Sequence, residues 1–541
     1  MPNLTKMHST FLSLTLVFIS GCTMNEVRQE RQSSDYSVVP VERTKMKVAH
    51  MIAHNRIAGY EMVEKERYQL LKANNIKKVS EEPVSTFSID VDTSAYSNIR
   101  RVLNQGQLPY VDMVRTEELI NYFQYDYKKP ENQDRPFSVT TEIARSPWNK
   151  KSYLLNIGIK GFDVDRSELP PANLVFLIDV SGSMNSNSKL GLVKKSLQML
   201  TRQLDEKDRV AIVVYAGAAG IVLGTTSGDN KAEINIALEN LSAGGSTNGG
   251  EGIELAYQLA QQSFIPGAIN RVIIASDGDM NVGISSTQAL IDLIKQNKKS
   301  GISLTTLGYG MGNYNSHLME QLADAGNGNA AYIDNLGEAQ KVLIEEMSST
   351  LFTIAKDVKI QIEFSPLVSE YRLIGYENRL LNREDFNNDK VDAGDIGAGH
   401  TVTAIYEITL ASDNTDQIDQ LRYNQSVNHP APETNELAFL KLRYKLPAND
   451  INNSDANTSK LVSYPIEISS IQTQVSESSN DFKFSAAVAA FAQKLRGGDY
   501  LVDDFNYDEI ISLARQGKGS DVNGYRGEFI QLVKLASSLA E

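Results

Sequence analysis

The sequence predicts a multidomain α/β plus β protein: a doubly wound parallel sheet with flanking helices, inserted into a discontinuous antiparallel β-sandwich and followed by a C-terminal helical segment. Three observations carry this prediction. Between residues 171 and 352, apolar runs alternate with helical periodicity, the order typical of a parallel sheet with right-handed crossovers. Segments in which polar and apolar residues alternate lie on both sides of this region. From residue 481 onward the pattern is helical.

The length and composition indicate several globular domains. With 541 residues, the chain is too long for one hydrophobic core. Hydrophobic residues make up 41 % and charged residues 22 %, as in ordinary soluble proteins. The formal net charge of −14 argues against a nucleic-acid-binding protein, because such a protein needs a basic face. An acidic excess is compatible with an exported protein that binds cations.

The N-terminus has the features of an export signal over residues 1–22. Lys6 precedes an apolar run at residues 11–19, and small residues follow before Cys22, the one cysteine of the chain. The run is too short to span a bilayer as a mature helix. A small-small-Cys ending resembles the bacterial lipoprotein signal, which implies that Cys22 is lipidated and becomes the new N-terminus. The alternative is an ordinary secretory signal with an incidental cysteine.

The segments outside the α/β domain have different patterns. Residues 23–80 are polar, with few aromatic side chains, and we expect a flexible tether. The N-terminal flanking region at 81–170 and the region at 353–480 both contain alternating segments. We expect these to pair in one β-sandwich, because insertion of a domain at a loop is readily tolerated. The predicted strands are at residues 84–92, 137–143, 153–159, 358–364, 401–406 and 437–444.

The α/β domain is expected at residues 171–352. The continuous apolar run at 174–178 is typical of a strand at the buried centre of a parallel sheet. Further strands are predicted at residues 209–215, 271–275, 303–307 and 331–333, with helices between them. A last helix is predicted at 337–350. The C-terminal region at 481–541 contains three predicted helices, at residues 484–495, 507–514 and 525–539.

Five oxygen-bearing side chains are expected at one edge of the sheet. Three of them alternate directly after the strand at 174–178, one lies in a glycine-rich loop that opens a helix, and one follows the strand at 271–275. Since ligands of doubly wound sheets bind beyond the carboxyl ends of the strands, these side chains can converge on a common centre. The five residues are Asp179, Ser181, Ser183, Thr247 and Asp277.

This combination predicts a divalent-cation site. Carboxylate and hydroxyl oxygens without His or Cys suit Mg²⁺, Mn²⁺ or Ca²⁺ rather than zinc. Two of the five side chains are negatively charged and three are neutral, so a bound cation stays electrophilic and readily accepts one more anionic oxygen. An Asp or Glu carboxylate of a partner protein is the expected last ligand. The alternative is that these residues only cap a helix and form turns.

The five residues together resemble the metal-ion-dependent adhesion site of von Willebrand factor A domains. The resemblance implies that Ser181, Ser183 and Thr247 bind the metal directly, and that Asp179 and Asp277 bind it directly or through water. The segments at 87–96 and 392–400 resemble a narrower group, the bacterial lipoproteins of the YfbK type. With these segments, the resemblance covers nearly the whole mature chain.

The expected function is that of a protein-binding module and not of an enzyme. The sequence contains no G-x-x-x-x-G-K-[ST] phosphate loop and no G-x-S-x-G nucleophile elbow. Two alternatives stay open: a metal-dependent hydrolase that uses the same cation, and an envelope scaffold that binds through the β-sandwich.

Two further expectations concern location and stability. The lipoprotein resemblance implies a lipid anchor in the cell envelope, at the outer membrane, because Thr23 and not Asp follows the cysteine. The partners are then a protein that offers a carboxylate and the membrane, with no nucleic acid. We also expect Asp179→Ala to leave the fold intact, on the view that the metal-binding loops lie at the surface.

Overall fold

A computed structural model describes residues 66–89, 92–131, 135–246, 248–279, 287–419, 435–447, 458–472, 474–502 and 505–540. The expected export signal with Cys22, residues 23–65 of the expected tether, and Thr247 lie outside the described residues. The described residues belong to one compact unit.

Seventeen strands are present in the described residues, and they form three sheets. The strands are β1 Lys77–Lys78, β2 Val84–Ser88, β3 Phe137–Arg145, β4 Tyr153–Gly161, β5 Ala172–Asp179, β6 Arg209–Tyr215, β7 Ala219–Ser227, β8 Ile269–Ser276, β9 Ser303–Tyr309, β10 Ala330–Ile333, β11 Thr353–Phe364, β12 Val368–Ile374, β13 Ile396–Gly397, β14 Thr401–Leu410, β15 Glu436–Lys445, β16 Lys460–Glu467 and β17 Ile471–Gln472.

Twelve α-helices accompany these strands in the same part of the chain. They are α1 Ser94–Asn104, α2 Thr116–Asn121, α3 Leu190–Thr201, α4 Lys231–Glu239, α5 Gly249–Gln262, α6 Thr287–Lys298, α7 Ser316–Ala325, α8 Leu336–Gln340, α9 Met347–Leu351, α10 Asn480–Leu495, α11 Tyr507–Gln516 and α12 Tyr525–Ala540. A π-helical turn at Lys341–Glu345 separates α8 from α9, so the single helix predicted there is interrupted.

The α/β domain contains a six-stranded sheet in the order β10-β9-β8-β5-β6-β7. All neighbouring pairs are parallel except β6 and β7, which are antiparallel. Successive residues of β5 point to opposite faces: Phe176 belongs to the core that includes side chains of α3 and α4, and Leu177 belongs to the core that includes side chains of α5 and α6. Both faces of the sheet are therefore covered by helices, which confirms the predicted doubly wound arrangement.

The β-sandwich is built from strands on both sides of the α/β domain. One sheet has the order β1-β12-β14-β4-β3-β17, and in the other β11 lies between β2 and β15. The two sheets share one hydrophobic core, in which Leu155 and Tyr406 of the first sheet pack with Phe87 and Ile360 of the second. This confirms the predicted discontinuous sandwich.

Residues 66–80, which the sequence assigned to the tether, are part of the fold. Lys77 pairs with Tyr371 where β1 extends the edge of the first sandwich sheet. The carboxylate of Glu66 accepts hydrogen bonds of 2.8 Å from Arg101 and from the backbone N–H of Gly312. The polar residues of this segment make specific contacts within the fold. Composition alone does not distinguish such residues from polar residues that are exposed to solvent.

The C-terminal helices pack against α1 and α2 in a core of their own. Phe123 lies next to Phe484 of α10 and Phe529 of α12, with ring centroids 4.8 and 5.7 Å apart in edge-to-face geometry. Each fully buried aromatic or aliphatic side chain of this kind stabilises the fold by about 1.5–3 kcal/mol. The C-terminal segment is thus joined to the N-terminal flanking region.

A buried ionic cluster connects this helical core to the α/β domain. The guanidinium group of Arg100 on α1 donates to Asp334 and Glu338, which follow β10, and to Glu528 on α12. Arg100 is 2 % exposed, so its charge is compensated almost entirely by these carboxylates.

Among the described residues, no helix combines the length and the apolar character needed to cross a membrane.

Candidate metal centre

The candidate site lies at the carboxyl ends of β5 and β8, which are neighbours at the centre of the α/β sheet. Ile178 pairs with Ala275 in register, so Asp179 at the end of β5 lies beside Ser276 at the end of β8. The hydroxyl of Ser276 donates a 3.0 Å hydrogen bond to Oδ2 of Asp179. Asp277, the next residue, is therefore held at the same edge of the sheet.

The turn after β5 brings the two predicted serine ligands together. The Oγ atoms of Ser181 and Ser183 lie 3.0 Å apart, and the backbone N–H of Ser181 donates to Oδ1 of Asp179 at 2.9 Å. Mg²⁺ binds oxygens at about 2.1 Å in octahedral geometry, which places two adjacent ligands about 3.0 Å apart. The serine pair therefore fits two neighbouring ligand positions of one such ion.

The glycine-rich loop is fixed against this turn. The backbone N–H of Gly182 donates to the carbonyl of Gly245 at 3.1 Å, and Gly244 donates to the carbonyl of Val180 at 2.7 Å. The loop thus approaches the serine pair up to two residues before Thr247. The side chain of Thr247 itself lies outside the described residues, so its role as a ligand stays a prediction.

The carboxylate of Asp277 has a charged partner that the sequence analysis did not identify. Its Oδ2 atom accepts hydrogen bonds from Nζ of Lys189 at 2.8 Å and from Nδ2 of Asn313 at 3.1 Å. Its Oδ1 atom accepts from the backbone N–H of Asp279 at 3.2 Å. The backbone of Asp279 therefore contributes a turn contact beside the site.

The carboxylate of Asp179 is completely buried and its hydrogen-bond donors are neutral. Besides Ser181 and Ser276, the hydroxyl of Tyr215 donates to Oδ2 at 3.3 Å. Burial raises the pKa of Asp179 to about 6, hydrogen bonds from Ser181 oppose this rise, and the negative charge of Asp277 adds to it. A divalent cation at this edge would supply the positive charge that the surroundings of Asp179 lack.

The burial of Asp179 contradicts the premise on which its substitution was expected to leave the fold intact. The sequence predicts that these loops lie at the surface, but Asp179 is 0 % exposed. Replacing it by Ala would leave the N–H of Ser181 and the hydroxyls of Tyr215 and Ser276 without their acceptor. Unsatisfied buried donors cost about 1–3 kcal/mol each, so Asp179→Ala is expected to destabilise the domain. Asn keeps an acceptor oxygen at this position and is the better test of charge.

The ligand set is of the hard-oxygen type. In the described part of the chain, no group of three or more His, Cys, Asp or Glu side chains is placed to hold a metal ion. The arrangement at this edge is different, since two carboxylates are accompanied by two hydroxyls. Such a set suits Mg²⁺, Mn²⁺ or Ca²⁺ and does not suit zinc.

Four residues of the site were missed by sequence analysis. Tyr215 and Ser276 lie at ends of strands that the sequence did predict, so their position at this edge could have been inferred. Lys189 and Asn313 carry no such signal, because their contacts depend on how the loops after β5 and β9 pack together.

Comparisons with known proteins agree with this architecture. The family model described as von Willebrand factor type A domain matches residues 173–345. The model described as uncharacterized protein YfbK, C-terminal, matches residues 349–539. A further model, described as von Willebrand factor, matches residues 62–156 in the N-terminal flanking region.

Relatives of known sequence extend over most of the chain. Uncharacterized protein YfbK of Escherichia coli is 48 % identical over 483 residues, which is 88 % of this chain and 82 % of that protein. Uncharacterized protein sll0103 of Synechocystis is 26 % identical over 66 % of this chain and 81 % of that protein. Human inter-alpha-trypsin inhibitor heavy chain H3 is 23 % identical over 51 % of this chain and 32 % of that protein.

Solved structures are also similar in part. A von Willebrand factor type A protein from Catenulispora acidiphila aligns over 76 % of this chain and 91 % of its own, with 15 % identity and a TM-score of 0.39. The conserved hypothetical protein BatB from Bacteroides thetaiotaomicron aligns over 33 % of this chain and 97 % of its own, with 23 % identity and a TM-score of 0.28.

Proposed function

The chain belongs to the YfbK family of proteins with a von Willebrand factor type A domain, and from this premise we propose that it binds a partner protein through a divalent cation. A domain of this type is typical of protein-interaction modules and commonly binds a divalent metal. The observation that carries the proposal is the convergence of the Ser181–Ser183 pair with Asp179 and Asp277 at one edge of the sheet.

The proposed ligands are of two kinds, neutral hydroxyl groups and negatively charged carboxylates. Ser181, Ser183 and Thr247 would bind the ion through neutral hydroxyls, and Asp179 and Asp277 would hold it directly or through water. The ion, when bound, supplies positive charge to an incoming Asp or Glu carboxylate of the partner. Mg²⁺ is the proposed ion, with Mn²⁺ and Ca²⁺ as substitutes of the same ligand preference.

The proposal is for binding and not for catalysis. Both carboxylates at this edge already accept several hydrogen bonds, from Ser181, Tyr215 and Ser276 in one case and from Lys189, Asn313 and Asp279 in the other. A general base must be free to take a proton from a reacting group, whereas carboxylates held in this way are suited to a fixed position beside a metal ion.

We propose further that the protein acts outside the cytoplasm, anchored by a lipid on Cys22 to the outer membrane. The support is the sequence of residues 1–22, with an apolar run that ends in small residues before the cysteine. In this arrangement the site reaches partners in the cell envelope.

Isothermal titration calorimetry with Mg²⁺ and Mn²⁺ tests the metal site. The protein carries Cys22→Ser so that it can be purified without lipid, and Asp179→Asn and Ser183→Ala are compared with it. Both variants are expected to bind Mn²⁺ at least about tenfold more weakly, because each removes a ligand or its charge. Ser188→Ala is the matched control, since Ser188 is an exposed serine of the same loop whose hydroxyl shares a 3.2 Å hydrogen bond with Ser186.

The proposal is wrong if Asp179→Asn and Ser183→Ala bind the metal as tightly as the parent protein. A pull-down from solubilised membranes, with and without EDTA, tests the second half of the proposal. Capture of a partner that survives both EDTA and Asp179→Asn would favour binding through the β-sandwich.

A further inference from the structure

Lys189 lies inside the candidate metal centre and contacts it at two points. Its Nζ atom donates to Oδ2 of Asp277 at 2.8 Å and to Oδ1 of Asn313 at 3.0 Å. The amide of Asn313 in turn donates to the same oxygen of Asp277 at 3.1 Å. The three groups are thus joined in a closed triangle of hydrogen bonds.

The position of Lys189 is fixed by packing as well as by charge. Its side chain is 12 % exposed, whereas Asp277 is 0 % exposed. The stem crosses the backbone at Gly310, where an added Cβ would lie only 2.4 Å from Cγ and Cε of Lys189. Gly310 also has a φ of +76°, a conformation that favours glycine. The loop after β9 therefore leaves space for the aliphatic part of the Lys189 side chain at Gly310.

The ammonium group changes the charge of the ligand set. Asp277 is paired with a cation, while the hydrogen-bond donors to Asp179 are all neutral. Of the two negative charges that the sequence offers to a metal, one is therefore already compensated from within the chain. A divalent cation added to Asp179, Asp277 and Lys189 would bring the formal charge of these groups together with the ion to +1.

We propose that Lys189 is a specificity-determining residue of this centre, acting as an internal counter-ion that weakens binding of the bare cation and favours an anionic partner as the completing ligand. This inference rests on the proposed function. The physical reason is that two cations near one carboxylate repel each other, and an incoming carboxylate relieves that repulsion. Lys189 thus positions the carboxylate of Asp277 and lowers the affinity of the site for the metal through its charge. It does not need to contact the metal ion.

Calorimetric titration of Mn²⁺ into the Cys22→Ser protein and its Lys189→Met derivative tests the inference. Lys189→Met keeps the length of the stem and removes the charge, so Mn²⁺ is expected to bind about tenfold or more tightly. Lys195→Met is the matched control, because Lys195 is an exposed lysine of α3, the helix that directly follows Lys189, and its removal alters the net charge equally. The control is expected to stay within about twofold of the parent affinity.

A second variant and a second ligand complete the experiment. Circular dichroism shows whether Lys189→Met folds. If it does not, Lys189→Gln replaces it, because glutamine is uncharged but retains a hydrogen-bond donor towards Asp277. Lys189→Gln is expected to show the same gain in Mn²⁺ affinity. Adding acetate as a carboxylate probe is expected to raise the Mn²⁺ affinity of the parent protein more than that of Lys189→Met.

The outcomes separate the two proposals. If the parent protein binds Mn²⁺, loses it in Asp179→Asn, and Lys189→Met binds no more tightly than Lys195→Met, the role of Lys189 is refuted and the metal site stands. If the parent protein binds no Mn²⁺ and Lys189→Met binds none either, the metal site itself fails.

Discussion

The hydroxyl of Ser276 donates a 3.0 Å hydrogen bond to Oδ2 of Asp179 and accepts one of the same length from the backbone N–H of Gly278. This serine therefore links the end of β5 to the turn after β8. It is fully buried and has no role in the predicted ligand set, yet it fixes the distance between the two halves of the site.

Ser276→Ala is the variant that isolates this link. Loss of the hydroxyl leaves one carboxylate oxygen and one backbone N–H less well satisfied, so the free energy of unfolding is expected to fall by about 1–2 kcal/mol. The affinity for Mn²⁺ is expected to fall by about tenfold, because the orientation of Asp179 is relaxed. Urea unfolding and calorimetry measure the two effects, with Ser188→Ala as the exposed-serine control. An unchanged Mn²⁺ affinity would show that Ser276 does not orient the site.

Arg100→Met tests the ionic cluster between the helical core and the α/β domain. The variant leaves the buried carboxylates of Asp334 and Glu338 without their cation, which is expected to cost about 3–5 kcal/mol of unfolding free energy. Urea unfolding followed by circular dichroism measures it. Lys128→Met removes one partner of the exposed ion pair with Glu131 and should leave the midpoint unchanged. Equal urea midpoints for Arg100→Met and Lys128→Met would show that the ionic cluster does not stabilise the folded protein.

Asp395 makes the stability depend on pH. Burial raises the pKa of this carboxyl to about 7, the negative charge of Asp357 adds to the rise, and Lys356 opposes it. Its Oδ1 atom accepts from the backbone N–H of Asp357 at 3.1 Å, and its Oδ2 atom has no partner among the described residues. The folded protein therefore keeps the proton of Asp395 over a pH range in which the unfolded chain has released it.

The sign of the effect follows from this difference. As the pH rises from about 4 to about 7, the unfolded state gains the ionised carboxylate and the native state does not, so the group's contribution to stability falls. Asp395→Asn cannot ionise and avoids this loss. Its stability relative to the parent protein is expected to grow by about 2–3 kcal/mol across this window and to level off above it. Urea unfolding of both proteins at pH 4.5 and pH 8 measures this, and a difference independent of pH would contradict it.

Cys22→Ser tests the anchor. In the proposed anchor the lipid is attached to the thiol of Cys22, so the variant is expected to move from the membrane pellet to the soluble fraction after cell lysis, with its fold unchanged. Cell fractionation followed by immunoblotting provides the measurement, and the alkaline-washed membranes of cells that express the unmodified chain provide the reference. A variant that stays in the pellet would exclude the lipid as the cause of membrane attachment.

The centre of the candidate site was predictable because parallel strands end at a common edge. The apolar run at 174–178 and the run at 271–275 each identify a buried strand, and Asp179 and Asp277 follow these strands directly. Because the two strands are neighbours in the sheet, the residues at their carboxyl ends lie side by side, as the hydrogen bond from Ser276 to Asp179 shows.

Other parts were not predictable, for physical reasons that differ from case to case. Strand β7, Ala219–Ser227, lies at the edge of the sheet and exposes both Ile221 and Val222, so it lacks the alternation that marks a half-buried strand. The ion pair between Lys189 and Asp277 depends on the space left by Gly310, which is a property of the packed loops. Neither strand β7 nor this ion pair can be predicted from the local sequence.

The insertion of the α/β domain into the sandwich sets an order of assembly during synthesis. Strands β1 to β4 leave the ribosome before the α/β domain, but Ser88 of β2 pairs with Lys359 of β11, which is made only after that whole domain. The α/β sheet uses contiguous strands from Ala172 to Ile333 and can close its own core in that interval. A nascent chain halted between β10 and β11 would thus carry one finished domain and a set of open strand edges, the kind of surface that chaperones bind and that aggregation exploits.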